Sequence, residues 1–232
     1  MRVLVACEES QRVCTAFRDK GHEAYSCDLL ECSGGHPEWH IQGDVLKVLN
    51  PWLSESDLSF GIHFTTMDGK PHFVSGKWDL IIAHPPCTFM SKAGARWMYK
   101  GGELNLERYD KALAAKQFFT EIFSADCPKI VIENPTPLRC VGLPAPTQII
   151  QPYHFDSFDI HPFSKRTCLW IKGDIPLLKA TTPERKPIDT YVCSNTSLYS
   201  KGYCGSRGVA ADSRERSKTF LGVAAAMADQ WG

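Results

Sequence analysis

The chain has 232 residues, of which 43% are hydrophobic and 22% charged, the balance of an ordinary globular protein able to bury a sizeable core. Lys plus Arg equals Asp plus Glu at 26 each, which speaks against a tight non-specific binder of nucleic acid or anionic membrane and leaves any DNA contact to a local basic face. No stretch approaches the ~20 apolar residues that span a bilayer, and MRVLVACEES at the start is too short in apolar residues for a signal peptide.

Arg2 to Cys7 (RVLVAC) is expected to be a buried first strand, because its apolar residues run almost without alternation. Gln11 to Lys20 carries Val13, Ala16 and Phe17 at helical spacing, with Gly21 as a C-cap. A second strand is expected at His22 to Cys27, ending on Asp28. This strand–helix–strand opening is that of a doubly wound sheet. A Gly-Gly-His loop (Gly34 to His36), Gly43-Asp44-Val45 and a short helix up to Asn50-Pro51 follow. Leu58 to Val74 is expected to be a hairpin, the core of an insertion over 54–77. Its Asp68-Gly69 pair signals a two-residue turn.

Trp78 to Ala83 (WDLIIA) is the clearest buried parallel strand, and it runs into His84-Pro85-Pro86-Cys87. A long helix is expected from about Leu104 to Phe123, with Leu106, Tyr109, Leu113 and Ile122 on its inner face. Lys129 to Glu133 (KIVIE) and Thr167 to Ile171 (TCLWI) are further strands. Residues 174–213, rich in Pro, Gly, Ser and Thr, are expected to be surface loops. Thr219 to Gln230 is a final helix with Phe220, Val223 and Met227 as its apolar stripe. The fold class is thus α/β, a mostly parallel, doubly wound, Rossmann-like sheet with a hairpin insertion, in one domain over 1–232.

In such a sheet ligands bind at the carboxyl ends of the strands. Those ends carry Glu8 and Glu9, Asp28, Pro85-Pro86-Cys87 and Glu133-Asn134. Two prolines fix a rigid turn, so the Cys87 thiol is held in place as a nucleophile. The acid Glu133 lies one strand away. Carbon 5 of cytosine is too electron-poor to accept a methyl group directly. A thiolate added at carbon 6 makes carbon 5 nucleophilic, and an acid at ring nitrogen 3 eases that addition.

The order Pro85, Pro86, Cys87, Ser91, Ala93, Gly94, Arg96, followed by Glu133-Asn134-Pro135, resembles the active-site motifs of the DNA cytosine carbon-5 methyltransferases. The resemblance spans roughly residues 1 to 171 and the final helix. It implies an S-adenosylmethionine-dependent methyltransferase fold, with Cys87 as nucleophile, Glu133 binding and protonating the base, and Arg166 holding the cytosine. It further implies a cofactor site of Ala6, Cys7, Glu8, Ser10, Asp28, Leu29, Asp44, Val45 and Pro85, and substrate contacts from Pro86, Ser91, Arg96 and Asn134. DNA, or a cytosine nucleotide, is the implied partner, and a bacterial or phage-infected cytoplasm the implied setting.

Three departures from that family stand out. The first loop, Cys7-Glu8-Glu9-Ser10-Gln11, has none of the glycines the family uses, and Pro135 replaces a valine. Only Lys172 to Lys218 separates the Thr167 strand from the last helix, where the family places a much larger target-recognition domain. Such a chain reads little sequence, borrows specificity from a protein partner, or acts on a free nucleotide. The rival readings are a pyrimidine nucleotide-modifying enzyme with the same thiol attack and a non-catalytic DNA-binding protein. An amino-directed methyltransferase fits less well, since an aromatic residue is expected there where Cys87 stands.

The ten cysteines are scattered, and most are expected to be reduced and buried. Cys27, Cys32, His36 and His40 have a C-x4-C-x3-H-x3-H spacing that could hold zinc, though His36, Trp39 and His40 fit better as a lining of the cofactor or base pocket or as simple loop packing, and no metal is expected. Arg207, Arg214, Arg216 and Lys218 form a basic run open to phosphates or to solvent.

Overall fold

The computed structural model describes residues 1–54, 58–155, 165–185 and 217–232. Most of the loop-rich segment 174–213, and Arg207, Arg214 and Arg216 with it, lies outside the described residues. In chain order the elements are β1 (Arg2–Ala6), α1 (Arg12–Asp19), β2 (Glu23–Asp28), β3 (His40–Gln42), β4 (Trp52–Leu53), β5 (Phe60–Thr65), β6 (Pro71–Ser75) and β7 (Leu80–Ala83). They continue with β8 (Tyr99–Lys100), β9 (Glu103–Leu104), α2 (Leu106–Phe123), β10 (Ile130–Pro135), β11 (Gln148–Ile150), β12 (Thr167–Lys172) and α3 (Leu221–Trp231).

Among the described residues a seven-stranded sheet has the order β11-β12-β10-β7-β1-β2-β3. Pairs from β10 through β3 are parallel, and β12 runs antiparallel between β10 and β11. Alternation within each central strand sends side chains to two cores. Val3, Val5, Leu80, Ile82 and Val131 pack with Val13 and Phe17 of α1 and Val223 and Met227 of α3. Leu4, Ala6, Ile81, Ala83, Ile130 and Ile132 pack with Ala112, Phe119 and Ile122 of α2. Both faces are covered, which is why these strands read as unbroken apolar runs. The arrangement is α/β, with helices on both faces of a mostly parallel sheet, and is compatible with a Rossmann-like fold.

Several sequence expectations are corrected. The helix begins at Leu106, capped by Asn105, whose side chain accepts from Arg108 N; Leu104 sits in the β8–β9 ribbon instead. Leu106 is 69% exposed and Leu113 40%, because the stripe through Ala112, Phe119 and Ile122 faces the sheet and Leu113 lies ~100° away from it. The stretch before Asn50 is a single 3-10 turn, Val45–Lys47. The hairpin turn has three residues, since Thr66 N–H bonds Lys70 O and Gly69 takes the left-handed conformation at φ 83°, the usual geometry of a three-residue loop. That hairpin gains a third strand, β4, and its Ile62, Phe64 and Val74 join the α2-side core around Trp78. No helix among the described residues is long and apolar enough to cross a membrane.

Candidate active site

The strand order reverses between β1 and β7, the switch point at which open α/β sheets bind ligands. Leaving β1, Cys7 and Gln11 both adopt positive φ, 59° and 58°. The first loop thus has the left-handed turns that glycine favours, made by residues with side chains. Glu8 is 4% exposed, and its carboxylate accepts from Val13 N at 2.7 Å and Cys14 N at 3.1 Å. It caps α1 from within the chain. Burial pushes its carboxyl up, against the pull of His84, those two amides and Arg12. Gln11 is fully buried and clasps the next loop, donating to His36 O at 2.8 Å and accepting from His36 N at 3.0 Å. The close approach falls at Gly34, where an added Cβ would lie 2.5 Å from Gln11 Cβ and 2.7 Å from Ser10 O.

An acidic rim surrounds this loop. Burial, and then the charge of Asp28, pushes the Cys7 thiol far up, with Cys27 and Asp44 adding to it. Cys27 is pushed to about 12 by burial, Asp28 and Asp44. Asp28 accepts from Leu30 N through Oδ1 at 2.9 Å, beside Leu29, which is exposed. Asp44 is exposed and accepts from Leu46 N, while Val45 turns into the core. The Cys27, Cys32, His36 and His40 set is not gathered, and no group of three metal-binding side chains occurs among the described residues. His40 is buried between Ser26 Oγ at 2.8 Å and Leu30 O at 2.9 Å, and His36 stacks on Trp39 at 3.8 Å.

Across the switch point, β7 delivers His84-Pro85-Pro86-Cys87. Pro85 is buried, Pro86 exposed and Cys87 half-buried. Asn134 is buried and donates its amide to Pro85 O at 2.8 Å, so the strand that carries Glu133 also pins the proline turn. The backbone closes after the thiol, with Met90 N and Ser91 N both bonding Cys87 O at 3.1 and 2.9 Å. Lys92 N to Thr136 O and Leu138 N to Met90 O then fasten the loop to the chain beyond β10. Burial pushes the Cys87 thiol up, and the Glu133 charge adds to this; Lys165 and a Ser91 hydrogen bond oppose it.

Glu133 is hydrogen-bonded through Oε2 to His84 Nδ1 at 3.0 Å, with side chains 10% and 9% exposed. Burial raises the Glu133 carboxyl, but the His84 hydrogen bond and the charges of Lys165 and His84 outweigh it and hold it below the ordinary range. His84 and Lys165 are the two members of this cluster that the sequence reading did not single out. The signal for His84 was its place, directly between the last apolar residue of β7 and the Pro-Pro turn. Arg166 is exposed and acts on Cys168, so it is Lys165 that acts on Cys87 and Glu133. No family model matches the chain, and no curated protein is found to match it.

The loop beyond Cys87 is basic and aromatic. Lys92, Arg96, Trp97, Tyr99 and Lys100 are exposed, and the Arg96 guanidinium lies 4.4 Å from the Trp97 ring centre. Gly94 is buried where a Cβ would meet Arg108 Nη2 at 2.5 Å and Thr88 O at 2.9 Å, and Arg108 itself donates to Thr88 O. Gly94→Ala should therefore push Arg108 off the loop, at a local cost of about 1–3 kcal/mol. Hydrogen exchange should show faster opening of the amides around 88–98 with the sheet unaffected; unchanged protection there would disprove the role given to Gly94.

Proposed function

We propose that the chain methylates carbon 5 of cytosine in DNA, using S-adenosylmethionine, an S-adenosylmethionine-dependent methyltransferase fold and a covalent bond from Cys87. The observation that carries this reading is the Cys87 thiol on its proline turn, coupled to the buried Glu133 carboxylate at the mouth of adjacent strands. Its order of Pro-Pro-Cys, Ser91, Gly94, Arg96 and Glu133-Asn134 resembles the cytosine carbon-5 methyltransferases, and the hydrogen bonds of Ser91 to Cys87 and of Asn134 to Pro85 support the reading.

The first loop supports the methyl donor by chemistry. The N-terminus of α1, a place where phosphates commonly bind, is filled by the Glu8 carboxylate. Glu9, Asp28 and Asp44 add negative charge around it. Such a cleft repels nucleotide phosphates and suits a phosphate-free nucleoside bearing a cationic sulfonium. Asp28 would hold the ribose, Asp44 with the backbone of Val45 would flank the adenine, and the backbone at Ala6 and Cys7, with Ser10, Leu29 and Pro85, would line the remainder. When bound, the sulfonium supplies an electrophilic methyl group. The chain's own residues do the rest: Cys87 attacks carbon 6, Glu133 holds ring nitrogen 3, and Lys165 favours both anions.

The basic, aromatic loop from Lys92 to Lys100 supports a polymeric substrate. Cations there can meet phosphates, and Trp97 and Tyr99 offer faces to unstacked bases. A base in duplex DNA must leave the stack to reach Cys87. Labelled methyl transfer tests the reading, with duplex, single-stranded DNA and free cytosine nucleotides as acceptors. Label in DNA as 5-methylcytosine is the expected result, and calorimetry should detect S-adenosylmethionine but not ATP. Label only in free nucleotide would replace DNA by the nucleotide as substrate. No transfer and no cofactor binding would sink the enzyme altogether.

A further inference from the structure

His84 stands between two buried carboxylates. Its Nδ1 is 3.0 Å from Glu133 Oε2, and its charge acts on Glu8 from the other side of the switch point. Its backbone N–H is fixed on Ala6 O at 2.9 Å, so the ring is carried on the core of the sheet. Nε2 is buried and has no hydrogen-bond partner among the described residues. A buried ring nitrogen left unpaired is costly, and such groups recur where a protein does chemistry. The charged groups it acts on are Glu8, with Arg12 behind it, from the β1–α1 side, and Glu133 from β10; Lys165 ahead of β12 and Cys87 on the loop that follows His84 interact in turn with Glu133.

Glu133 has a difficulty that His84 resolves. To assist attack it must deliver a proton to ring nitrogen 3, yet its surroundings keep it ionised. We infer that His84 is the positioning residue that supplies this proton, passing it through Glu133 to the base. The inference rests on the reading of Cys87 and Glu133 given above.

Before attack the imidazolium holds protons on Nδ1 and Nε2, and Glu133 holds none. As the Cys87 thiolate bonds carbon 6, the electron pair of the carbon 5–carbon 6 double bond moves to carbon 4–carbon 5. The carbon 4–nitrogen 3 pair moves onto nitrogen 3, which takes through Glu133 the proton that Nδ1 hands to that carboxylate. Glu133 finishes ionised, as it began, and the imidazole finishes neutral with its remaining proton on Nε2. One proton has passed from His84 to nitrogen 3, and nothing is oxidised or reduced. Expulsion of the thiolate returns it by the same path.

The addition makes carbon 5 basic, so it exchanges its hydrogen with solvent without any methyl donor. The test is exchange of that hydrogen for deuterium in a cytosine oligonucleotide without S-adenosylmethionine, followed across pH for wild type, His84→Gln, His84→Asn and Cys87→Ser. Wild type should exchange, with a pH dependence set by two groups, the thiol and the proton source. Both His84 variants should exchange at least about 100-fold more slowly and follow the thiol alone with pH, while keeping oligonucleotide affinity. Exchange in both variants within about threefold of wild type, with the same pH profile, would overturn the inference. So would recovery in His84→Asn, whose amide can hold Glu133 but cannot relay a proton. Exchange absent from wild type, or unchanged in Cys87→Ser, would instead overturn the reading of Cys87 on which the inference stands.

Discussion

Cys87→Ser should eliminate covalent capture of DNA carrying 5-fluorocytosine in the presence of S-adenosylmethionine. Fluorine does not leave carbon 5 as a proton does, so the wild-type adduct should survive denaturing electrophoresis. The hydroxyl is close in size to the thiol but far less acidic, and methyl transfer should fall by at least about a thousandfold. The fold should be unaffected, because Cys87 is half-buried and its backbone carbonyl, not its sulfur, closes the loop onto Met90 and Ser91. Burial holds the thiol above its ordinary value, so capture should quicken as the pH rises from neutral and the thiolate fraction grows. Undiminished capture by the serine variant would remove Cys87 from the mechanism.

Glu133→Gln should lower methyl transfer by about 10²–10⁴-fold, since the amide can hold a base but cannot pass a proton. It also tests the electrostatics of the fold. The surroundings depress the Glu133 carboxyl, so its contribution to stability is fully present above the ordinary glutamate value and is lost as the pH falls through the lower, folded value. Replacing one member of a buried hydrogen-bonded pair costs about 1–3 kcal/mol. The variant should thus unfold at a lower temperature than wild type at neutral pH, and the two should converge on acidification. A gap in Tm that widens in acid would contradict the depressed carboxyl.

The central strands were legible because both sheet faces are covered, leaving Val3 to Ala6, Leu80 to Ala83 and Ile130 to Ile132 apolar without interruption. β3 was not, since His40 begins it with a polar ring that only Ser26 and the Leu30 carbonyl make tolerable in the core. β11 is three residues long and packs one flank of β12, too little for a pattern to form. At the site, the proline turn, the thiol and the glutamate were readable from spacing in the chain. The His84–Glu133 bond joins residues 49 positions apart, and Lys165 rather than its neighbour Arg166 acts on the thiol for a reason that only the path of the chain into β12 decides. The first loop misled in the other direction. Its lack of glycine does not prevent left-handed turns at Cys7 and Gln11, and the glycine that permits a close approach sits more than twenty positions later, at Gly34.

The Glu8 carboxylate at the head of α1 has a consequence for the chain in a crowded cell. ATP and the nicotinamide dinucleotides share the adenosine of the proposed methyl donor and differ by their phosphates. A helix whose first amides are already taken by its own carboxyl offers those phosphates nothing, so the energy charge of the cell would not compete for the cleft. Occupancy would then follow the supply of methyl donor and the removal of its demethylated product.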